Sequence, residues 1–372
     1  MLTSLLGIRL ILLIGKTVPL PAPAAAMNAL KHVKVINDAD GQDGFQLTFT
    51  LGKDNLGDYS LLASGALDPD RRVVIGVLLG ASLEPLIDGV IYHHQIAPSN
   101  EPGMSTLTVS GRDISVLLDL EEKNAEYKNR PDSLIVGDIL MNYAQYGVVP
   151  QATPTTNVPI ELYHVPRQHE TDLHFIQRMA QRNGYVFYLE PLTLGTTVAY
   201  FGPENRLGVP QPALSVDMGS ATNVNTLNFD NDALAPIGTK GSFVDPITKT
   251  SISIPSLPSL GVPPLAASPT TARRIKLLRQ TASQNPGQAA TTALAATTRA
   301  PDAVSATGQV DTVRYGSVLR ARRLVGVRGA GLTNDGLYKV HQVTHEIEAG
   351  KYTQDFVLKR EGTGALLPVV RP

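Results

Sequence analysis

Hydrophobic and polar residues alternate along much of the chain, and this pattern predicts strands. Phe45, Leu47 and Phe49 alternate with Gln46 and Thr48, which is the period-two signal of a half-buried strand. Glycines within 41–44 provide the turn before it. We predict further strands at 9–14, 33–36, 73–79, 86–97, 105–109, 186–189, 197–201, 226–229, 318–327, 337–347 and 352–359.

A helical pattern precedes residue 184. Asp172 lies in the predicted first turn and Arg178 and Arg182 in the last, where a helix favours negative and positive charge respectively. Gly184 can adopt the left-handed conformation that ends the helix. The buried stripe comprises Phe175, Ile176, Met179 and Ala180.

A second helix is predicted between the two strand-rich halves. Asp132 or Ser133 can cap it, and Gly147 can end it. Its apolar face comprises Val136, Ile139, Leu140 and Tyr143.

Composition changes sharply at 236–310, which is rich in Pro, Ala, Thr and Ser. Its prolines disfavour regular elements, so we predict a long excursion with one helix at 272–281. So long a loop is unusual within a compact domain and is acceptable where partner subunits order it.

The N-terminal run 5–14 is apolar and is followed by small residues at 22–26, which superficially matches a secretory signal. However, Arg9 interrupts the run, and it is shorter than the roughly 20 residues of a spanning helix. We favour a strand at 9–14 with an extended, proline-containing entry to the next strand. Pairing across a subunit boundary is expected to cover its apolar face.

Overall composition is that of an ordinary globular protein, with 42% apolar and 17% charged residues in 372. The chain has no Cys, so disulfides and Cys-based metal sites are excluded. With 32 basic and 33 acidic residues, a broad electrostatic footprint for nucleic acid is not expected.

Histidine pairs in the sequence do not form a convincing metal site. His169 and His174 are five residues apart, whereas a zinc-protease helix needs a spacing of four. His341 and His345 lie on one face of a predicted strand, but no third ligand is evident. We therefore predict no metal site.

Two other motifs are better explained as turns. Asp38, Asp40 and Asp43 suggest a calcium loop, but the glycine and the closing glutamate of an EF-hand are not at the required positions. The glycines of 326–331 are followed by a predicted strand, whereas a dinucleotide fingerprint leads into a helix. No nucleophile elbow or phosphate loop is present. We predict no catalytic residue and no cofactor.

The helix–Gly–strand segment resembles hub proteins of contractile injection systems: phage late-control D proteins and the hub part of VgrG-type proteins. The matching residues, in order, are Gln168, Glu170, Asp172, Phe175, Arg178, Gly184 and Phe187.

Two further segments are similar to the same family and follow its order. One is a strand containing Gly89, followed by a strand that leads through Gly111 and Asp113 into a helix. The other resembles the family's closing hairpin and contributes Gly336, Tyr338, Val340, His345, Tyr352, Phe356 and Arg360.

The resemblance implies a mainly β fold with α+β insertions: two tail-tube-like β-barrel domains per chain in a trimeric ring with pseudo-sixfold symmetry. We divide the chain into an N-terminal extended segment, a first barrel-like domain, an α/β middle domain, a second barrel-like domain interrupted by the excursion, and a tail. Their ranges are 1–30, 31–120, 121–190, 191–362 and 363–372.

By the same resemblance, the chain is a structural hub and symmetry adaptor, not an enzyme. Its expected partners are two further copies of itself, a hexameric inner tube protein, a separate trimeric spike protein and other baseplate components. No nucleic-acid sequence recognition and no membrane span are expected, and assembly is expected in the bacterial cytoplasm. The apolar tail is a candidate docking segment for the spike. The alternatives are a secreted or periplasmic β-rich binding protein and a hub-associated cell-wall hydrolase.

Overall fold

A computed structural model describes residues 7–53, 57–101, 103–155, 165–244, 250–254, 263–277, 295 and 302–366. The first part of the chain contains β1 (Ile8–Gly15), β2 (Leu20–Pro21), α1 (Ala24–Ala29), β3 (Leu30–Asp38), β4 (Gly44–Thr50), α2 (Ser60–Ala63), β5 (Arg72–Leu79), β6 (Ser82–Ala97) and β7 (Thr106–Asp113). The middle part contains β8 (Glu122–Glu126), α3 (Asp132–Met141), β9 (Val148–Ala152), β10 (Arg167–Thr171), α4 (Asp172–Asn183), β11 (Val186–Thr193) and β12 (Thr196–Gly202). Short 3-10 helices lie at Ile114–Asp119, Ala144–Tyr146 and Gly219–Ala221.

The last part of the described chain is again rich in strands. It contains β13 (Gln211–Ser215), β14 (Val224–Asn231), β15 (Ile237–Val244), β16 (Ser251–Ile254), β17 (Ala266–Pro269), β18 (Arg274–Leu277), β19 (Val304–Asp311), α5 (Thr312–Tyr315), β20 (Leu324–Arg328), β21 (Gly336–Glu348), β22 (Lys351–Arg360) and β23 (Gly362–Ala365). The mainly β class is therefore confirmed.

One large sheet joins the two ends of the chain. Its strand order is β14-β19-β22-β21-β3-β4-β7-β6-β5-β1-β2, with β20 and β13 attached beside β21. We call β1–β7 the first half of this sheet, and β13, β14 and β19–β22 its second half. The junction between the two halves is the antiparallel pair of β21 and β3, in which His345 faces Val35. The first and last parts of the chain are thus hydrogen-bonded to each other within one sheet.

Each half of this sheet contributes the same strand arrangement. Numbered by their order along the chain, four strands of each half lie side by side as first, second, fourth and third. This order is β14-β19-β22-β21 in the second half and β3-β4-β7-β6 in the first half, and both orders run in the same direction along the sheet. Because all neighbours in this series are antiparallel, β14 and β3 also run in the same direction.

The middle region forms its own core beside the sheet. α3 and α4 pack with the small sheet β11-β12-β9, in which β12 and β9 are parallel. α4 begins at the N-cap Thr171, whose hydroxyl accepts from the His174 N–H, and Gly184 ends it in the left-handed conformation with φ 69°. The helix, the position of Asp172 in its first turn, Arg182 in its last turn and Gly184 as its end are confirmed, whereas Arg178 lies before the last turn.

The predicted caps of the other helix were wrong. α3 has Pro131 as its N-cap, with no side-chain capping bond, because the Asp132 carboxylate instead accepts from Arg182 and Asn183. α3 ends at Met141, and Gly147 ends the following 3-10 turn.

The apolar face of the N-terminal strand is covered within the chain. β1 pairs with β5, and Leu10, Leu12 and Ile14 are buried in the core of the first half. The strand prediction is confirmed, but the expectation that a neighbouring subunit covers this face was wrong. The proline-containing segment after it also includes the helix α1, which was not predicted.

The excursion contains more regular structure than predicted. β15, β16, β17 and β18 all lie within it, and β19 occupies its end. The described part of the predicted helix, 274–277, is the strand β18, paired in parallel with β15; the rest of that prediction lies outside the described residues. The strand predicted at 318–327 is restricted to β20, because Arg322 has a left-handed backbone with φ 66° that interrupts the extended conformation before Leu324.

Candidate functional site: a polar sheet face with two open edges

One face of the large sheet is polar across eight neighbouring strands. Cross-strand partners share a face, so the registers define continuous rows. One row, from β19 to β6, comprises Asp311, Thr353, Glu346, Lys34, Gln46, Ser110 and His93. The next row, from β14 to β7, comprises Thr226, Gln309, Asp355, Thr344, Ile36, Gly44 and Arg112.

The opposite face of the same strands is apolar and buried. Val35, Leu47, Val109 and Val343 have no solvent exposure, and Phe356 is 2% exposed. Burial of this face fixes the strand registers, because a shift by one residue would place the polar face in the core. The polar face is therefore a defined surface of the fold.

The eight strands end in two open edges. No strand of the described residues pairs with the outer side of β14. At the other end, β6 pairs with β5 through 82–90 and with β7 through 89–97. Beyond Ile91, whose backbone bonds to the Asp70–Arg71 backbone, the described chain supplies no strand to the outer side of β6. Open edges carry unpaired N–H and C=O groups that can pair with another chain.

Two arginines between α5 and β20 tie the halves and the middle region together. The Arg320 guanidinium forms an ion pair with Glu84 of β6 and donates to the Pro85 carbonyl at 3.0 Å. Arg323 forms an ion pair with Glu190 of β11 at 2.9 Å. The charge of Arg320 lowers the pKa of Glu84 despite partial burial, so this carboxylate remains ionised.

The buried arginine between them forms the centre of the junction. Arg322 has a left-handed backbone with φ 66°, and its guanidinium donates to Asp43 and lies 4.6 Å from the centre of the Tyr188 ring. Burial and the Asp43 charge raise the pKa of the nearby Asp113 carboxyl to about 7, partly offset by the hydrogen bond from the Ser115 hydroxyl.

The structure brings the residues of the first family-like segment together around a buried carboxylate. Asp172 accepts from Gln168 Nε2 at 2.7 Å, Lys123 Nζ at 2.6 Å and the Tyr143 hydroxyl at 2.8 Å. Tyr127 donates to Gln168 Oε1 at 2.9 Å. Burial and Asp172 raise the pKa of both tyrosines, which therefore stay protonated as donors.

The remaining residues of that segment extend the same packing. Arg178 bonds to Glu170 at 2.7 Å and stacks over the Phe175 ring at 5.1 Å. Gly184 turns the chain, and Phe187 lies half-buried on β11 against the middle core. These contacts join β10, α4 and β11, so they position elements and present no reactive group to a cavity.

The second group lies where β6, β7 and β4 meet. A side chain at Gly89 would meet the Arg112 carbonyl at 2.1 Å, and one at Gly111 would meet the Phe45 ring at 2.1 Å. Asp113 is buried at the end of β7. The glycines permit a close approach of strands to an aromatic ring.

The closing-hairpin residues divide between two locations. At the start of β21, Arg360 stacks on Tyr338 at 4.2 Å and donates to the Asp335 and Thr333 carbonyls, and Gly336 lies against Arg360 and Ala365 at the end of β23. Along the hairpin, Val340 and Phe356 lie in the core of the second half.

His345 and Tyr352 lie further along the hairpin. The Tyr352 hydroxyl is 2.8 Å from His345 Nδ1, and Asn37 Oδ1 is 3.0 Å from its Nε2. Burial and the Arg320 charge lower the pKa of His345 to about 3. The imidazole is neutral and cross-links β21, β22 and β3.

Sequence reasoning missed the inter-element ion pairs. Besides the junction arginines, Arg72 and Asp88 form a buried bidentate pair, and Arg72 also donates to the Thr17 carbonyl while Thr197 donates to Asp88. No local spacing indicates these partners. The polar face did have a signal, since Gln46, Thr48 and Thr50 repeat with period two on β4.

No group of three or more His, Asp or Glu suited to a metal ion occurs in the described part of the chain. The turn between β3 and β4 holds Asp38, whose carboxylate accepts from the N–H of Asp40 and Gly41, as expected of a hairpin turn. None of the described helices is long and apolar enough to cross a membrane.

By sequence, the chain matches no family model and no curated protein. Its fold is similar to solved structures of phage tail proteins. A tail protein from Neisseria meningitidis has a TM-score of 0.61 at 16% identity, covering 96% of this chain and 98% of that one. The 43 kDa tail protein of prophage MuSo2 from Shewanella oneidensis has a TM-score of 0.62 at 14% identity, covering 95% and 98%.

A component of a type VI secretion system has a similar fold. This E. coli protein, described as structurally similar to the T4 tail proteins gp27 and gp5, has a TM-score of 0.55 at 14% identity and covers 91% of this chain and 77% of that one. A chain of a Francisella PdpA–VgrG complex has a TM-score of 0.56 at 9% identity, covering 98% and 60%. The chain thus has the fold of phage tail proteins and VgrG-type proteins.

Proposed function

We propose that this chain is the structural hub of a contractile phage tail or phage-tail-like injection particle. Three copies form a ring that joins a hexameric inner tube to a trimeric spike. The observation that carries this proposal is the repeated four-strand order within one continuous sheet.

The repeat supplies the symmetry that such a junction needs. Each chain presents the units β14-β19-β22-β21 and β3-β4-β7-β6 in the same direction, so three chains present six similar units around a threefold axis. Closed rings can join only where their subunit faces match. A face with six similar units suits a hexameric tube, and the true threefold symmetry suits a trimeric spike.

The open edges supply the contacts between copies. Within one chain, the junction of the two units is the antiparallel pair β21–β3. By the order of strands, the corresponding pair between chains is the C-terminal half of β6 with β14 of the next copy. This pairing satisfies both edges, closes the ring and turns the polar face toward a central channel.

The remaining partners rest on the resemblance to known hubs. The inner tube protein and other baseplate components contact the ends of the ring, and the spike is a separate protein. Leu366, which is 50% exposed, begins the apolar tail proposed to bind the spike; the rest of that tail lies outside the described residues. We assign no catalytic role to the chain and place its assembly in the bacterial cytoplasm.

Disulfide trapping tests the edge pairing directly, because the chain has no cysteine of its own. Gln95 of β6 and Asn228 of β14 both lie on the polar face, where their partners are Thr108 and Thr307. One double variant is Gln95→Cys/Asn228→Cys, and a second has Thr226→Cys in place of Asn228→Cys. Under mild oxidation, we expect one of them to form disulfide-linked dimers and trimers but no larger oligomers.

The matched control keeps Gln95→Cys but moves the second cysteine to Thr48 in the central strand β4. It should remain a monomer on non-reducing gels. Mass photometry of the unmodified chain, alone and with tube and spike proteins, gives an independent measurement. A chain that stays monomeric with both partners and forms no specific crosslink at either register would overturn the proposal.

A further inference from the structure

A concave pocket in the polar face is lined by two cationic side chains, Lys34 and Arg112. It has a volume of about 320 Å³. Its lining includes Lys34, Gln42, Gln46, Tyr92, Ser110 and Arg112. All these residues belong to β3, β4, β6, β7 or the turn between β3 and β4, so the pocket is complete within one chain and does not depend on ring formation.

A β-bulge places an aromatic ring at the pocket wall. The register of β6 and β7 shifts between Ile91 and His93, which leaves Tyr92 as the additional residue. Bulges commonly redirect a side chain at a functional surface. Tyr92 is 52% exposed, an unusual placement for a large ring in a strand whose preceding residues are buried.

Arg112 lies against this ring with donors to spare. Its guanidinium is 5.4 Å from the Tyr92 ring centre, and one nitrogen donates to Gln42 Oε1 at 3.0 Å. Among the described residues, no carboxylate forms an ion pair with Arg112. A guanidinium has five N–H donors, so the stacked group is oriented while most donors remain available for an oxyanion.

Lys34 supplies a second cation at the same pocket. Its ammonium group is 3.2 Å from Glu346, and both side chains are about one-third exposed, so this pair is solvated and can be shared. Asp43 also lines the pocket, but its carboxylate is held by Arg322 on the buried side. The pocket therefore combines two cations, an aromatic plate, and the amide and hydroxyl groups of Gln46 and Ser110.

The remainder of the polar face indicates which anion fits. In the second half, the exposed side chains of Asp230 and Asp355 lie on the same face, and Asp311 also belongs to it. A nucleic acid, with a negative charge at every nucleotide, would be repelled there. A polypeptide can place one or a few carboxylates at the pocket and neutral residues elsewhere.

We infer that the pocket formed by Tyr92, Arg112 and Lys34 binds a carboxylate side chain of a polypeptide that lies along the polar face. Arg112 provides directed N–H donors, Tyr92 holds its guanidinium in place, and Lys34 adds charge. The partner is thus an acidic peptide segment that passes over or docks on this face.

Fluorescence anisotropy with the full chain and a labelled, C-terminally amidated hexapeptide that carries two glutamates among neutral serine and glycine residues, at low ionic strength, tests this inference. We expect Arg112→Gln to weaken binding about tenfold, as for the loss of one charge-assisted contact. Tyr92→Phe keeps the ring and should bind as the unmodified chain does, whereas Tyr92→Ala should bind more weakly. Arg314→Gln, at an exposed arginine of α5 that does not line the pocket, makes the same change in net charge and should leave binding unchanged.

The comparison probes are the same labelled peptide with glutamine in place of both glutamates and a six-nucleotide oligothymidylate. The inference is wrong if the glutamine peptide binds equally well, if Arg314→Gln weakens binding as much as Arg112→Gln, or if the glutamate peptide does not bind. Tighter binding of the oligothymidylate would show that the pocket serves a nucleic acid. Circular dichroism spectra of the variants exclude misfolding as a cause, and the result is independent of the crosslinking test of the ring.

Discussion

The guanidinium of Arg322 donates to both carboxylate oxygens of Asp43, at 3.0 and 2.7 Å, although 279 positions separate the two residues in the chain. Both side chains are nearly inaccessible, with 8% and 1% exposure. Arg322 also donates to the Asp38 carbonyl and lies over Tyr188. One side chain thus contacts the first half, the middle region and its own second half.

Removing this arginine should destabilise the whole chain. Arg322→Gln leaves the Asp43 carboxylate buried without its counter-charge, a change that typically costs about 3–5 kcal/mol. We expect a loss of this order in the free energy of unfolding, measured by urea titration. The backbone is left-handed before and after the substitution, so its strain does not contribute to the difference.

Arg323→Gln is the matched control one position along the chain. Its side chain is 50% exposed and pairs with Glu190 at the surface. Such pairs contribute about 0–1 kcal/mol. Equal losses in the two variants would contradict the assignment of Arg322 as the centre of the junction.

The buried Asp113 should make stability depend on pH. Its pKa is raised from the ordinary 3.8 to about 7, so between these values the folded state keeps a proton that the unfolded state releases. The contribution of Asp113 to the free energy of unfolding is therefore complete below pH 4 and is lost as the pH rises toward 7. Asp113→Asn removes this decline and can still accept from Ser115, so we expect it to be more stable than the unmodified chain by on the order of 2 kcal/mol at pH 8.

The measurement is the free energy of unfolding of both proteins between pH 4 and pH 8. The advantage of Asp113→Asn should increase with pH across this range and then stay constant. Asp138→Asn, at an exposed carboxylate on α3 that pairs with Arg130 at the surface, should differ from the unmodified chain by less than about 1 kcal/mol. A constant difference between Asp113→Asn and the unmodified chain would show that Asp113 does not titrate in this window.

Much of the fold could be predicted because its signals are local. Alternation on β4, the helix α4 and its terminal Gly184 are determined by neighbours in sequence, and all three were predicted correctly. The same holds for β1, although its apolar face is covered by its own chain and not by a partner.

The junction could not be predicted because its determinants are distant in sequence. Nothing near Arg320 or Arg322 indicates Glu84 or Asp43 as partners. Asp132 shows the converse case, in which an expected local cap is replaced by a distant bond to Arg182. The segment of β18 was predicted as a helix, but its pairing with β15 overrides the local preference and makes it a strand.

Asp172 offers a test of the family-like segment as a structural element. It accepts from Gln168, Lys123 and Tyr143 and is 1% exposed. Asp172→Ala removes the acceptor that these three donors share, and we expect a loss of about 2–4 kcal/mol in unfolding free energy.

The comparison is Glu170→Ala in the same segment. Its pair with Arg178 is partly exposed, so the expected loss is below about 1 kcal/mol. Thermal unfolding followed by circular dichroism is sufficient to separate the two effects. If Asp172→Ala proves as mild as Glu170→Ala, the carboxylate does not organise the middle region.

Gly111 gives the sharpest prediction about the polar face itself. A methyl group there would lie 2.1 Å from the Phe45 ring and 2.6 Å from the Val90 carbonyl. Phe45 is buried in the core and cannot move outward, so Gly111→Ala must displace β7 from β4 or β6. We expect a destabilisation of about 1–3 kcal/mol, typical of overpacking, together with weaker binding at the pocket that includes Arg112.

Gly137→Ala is the matched glycine substitution, because a methyl group at that position meets no atom within 4 Å and the residue lies inside α3. Alanine is the better helix former, so this variant should be more stable by about 0.5–1 kcal/mol. Opposite signs for the two variants would show that Gly111 is required by packing. A neutral effect of Gly111→Ala would show that the close approach of β7 to Phe45 does not determine the shape of the polar face beside Arg112.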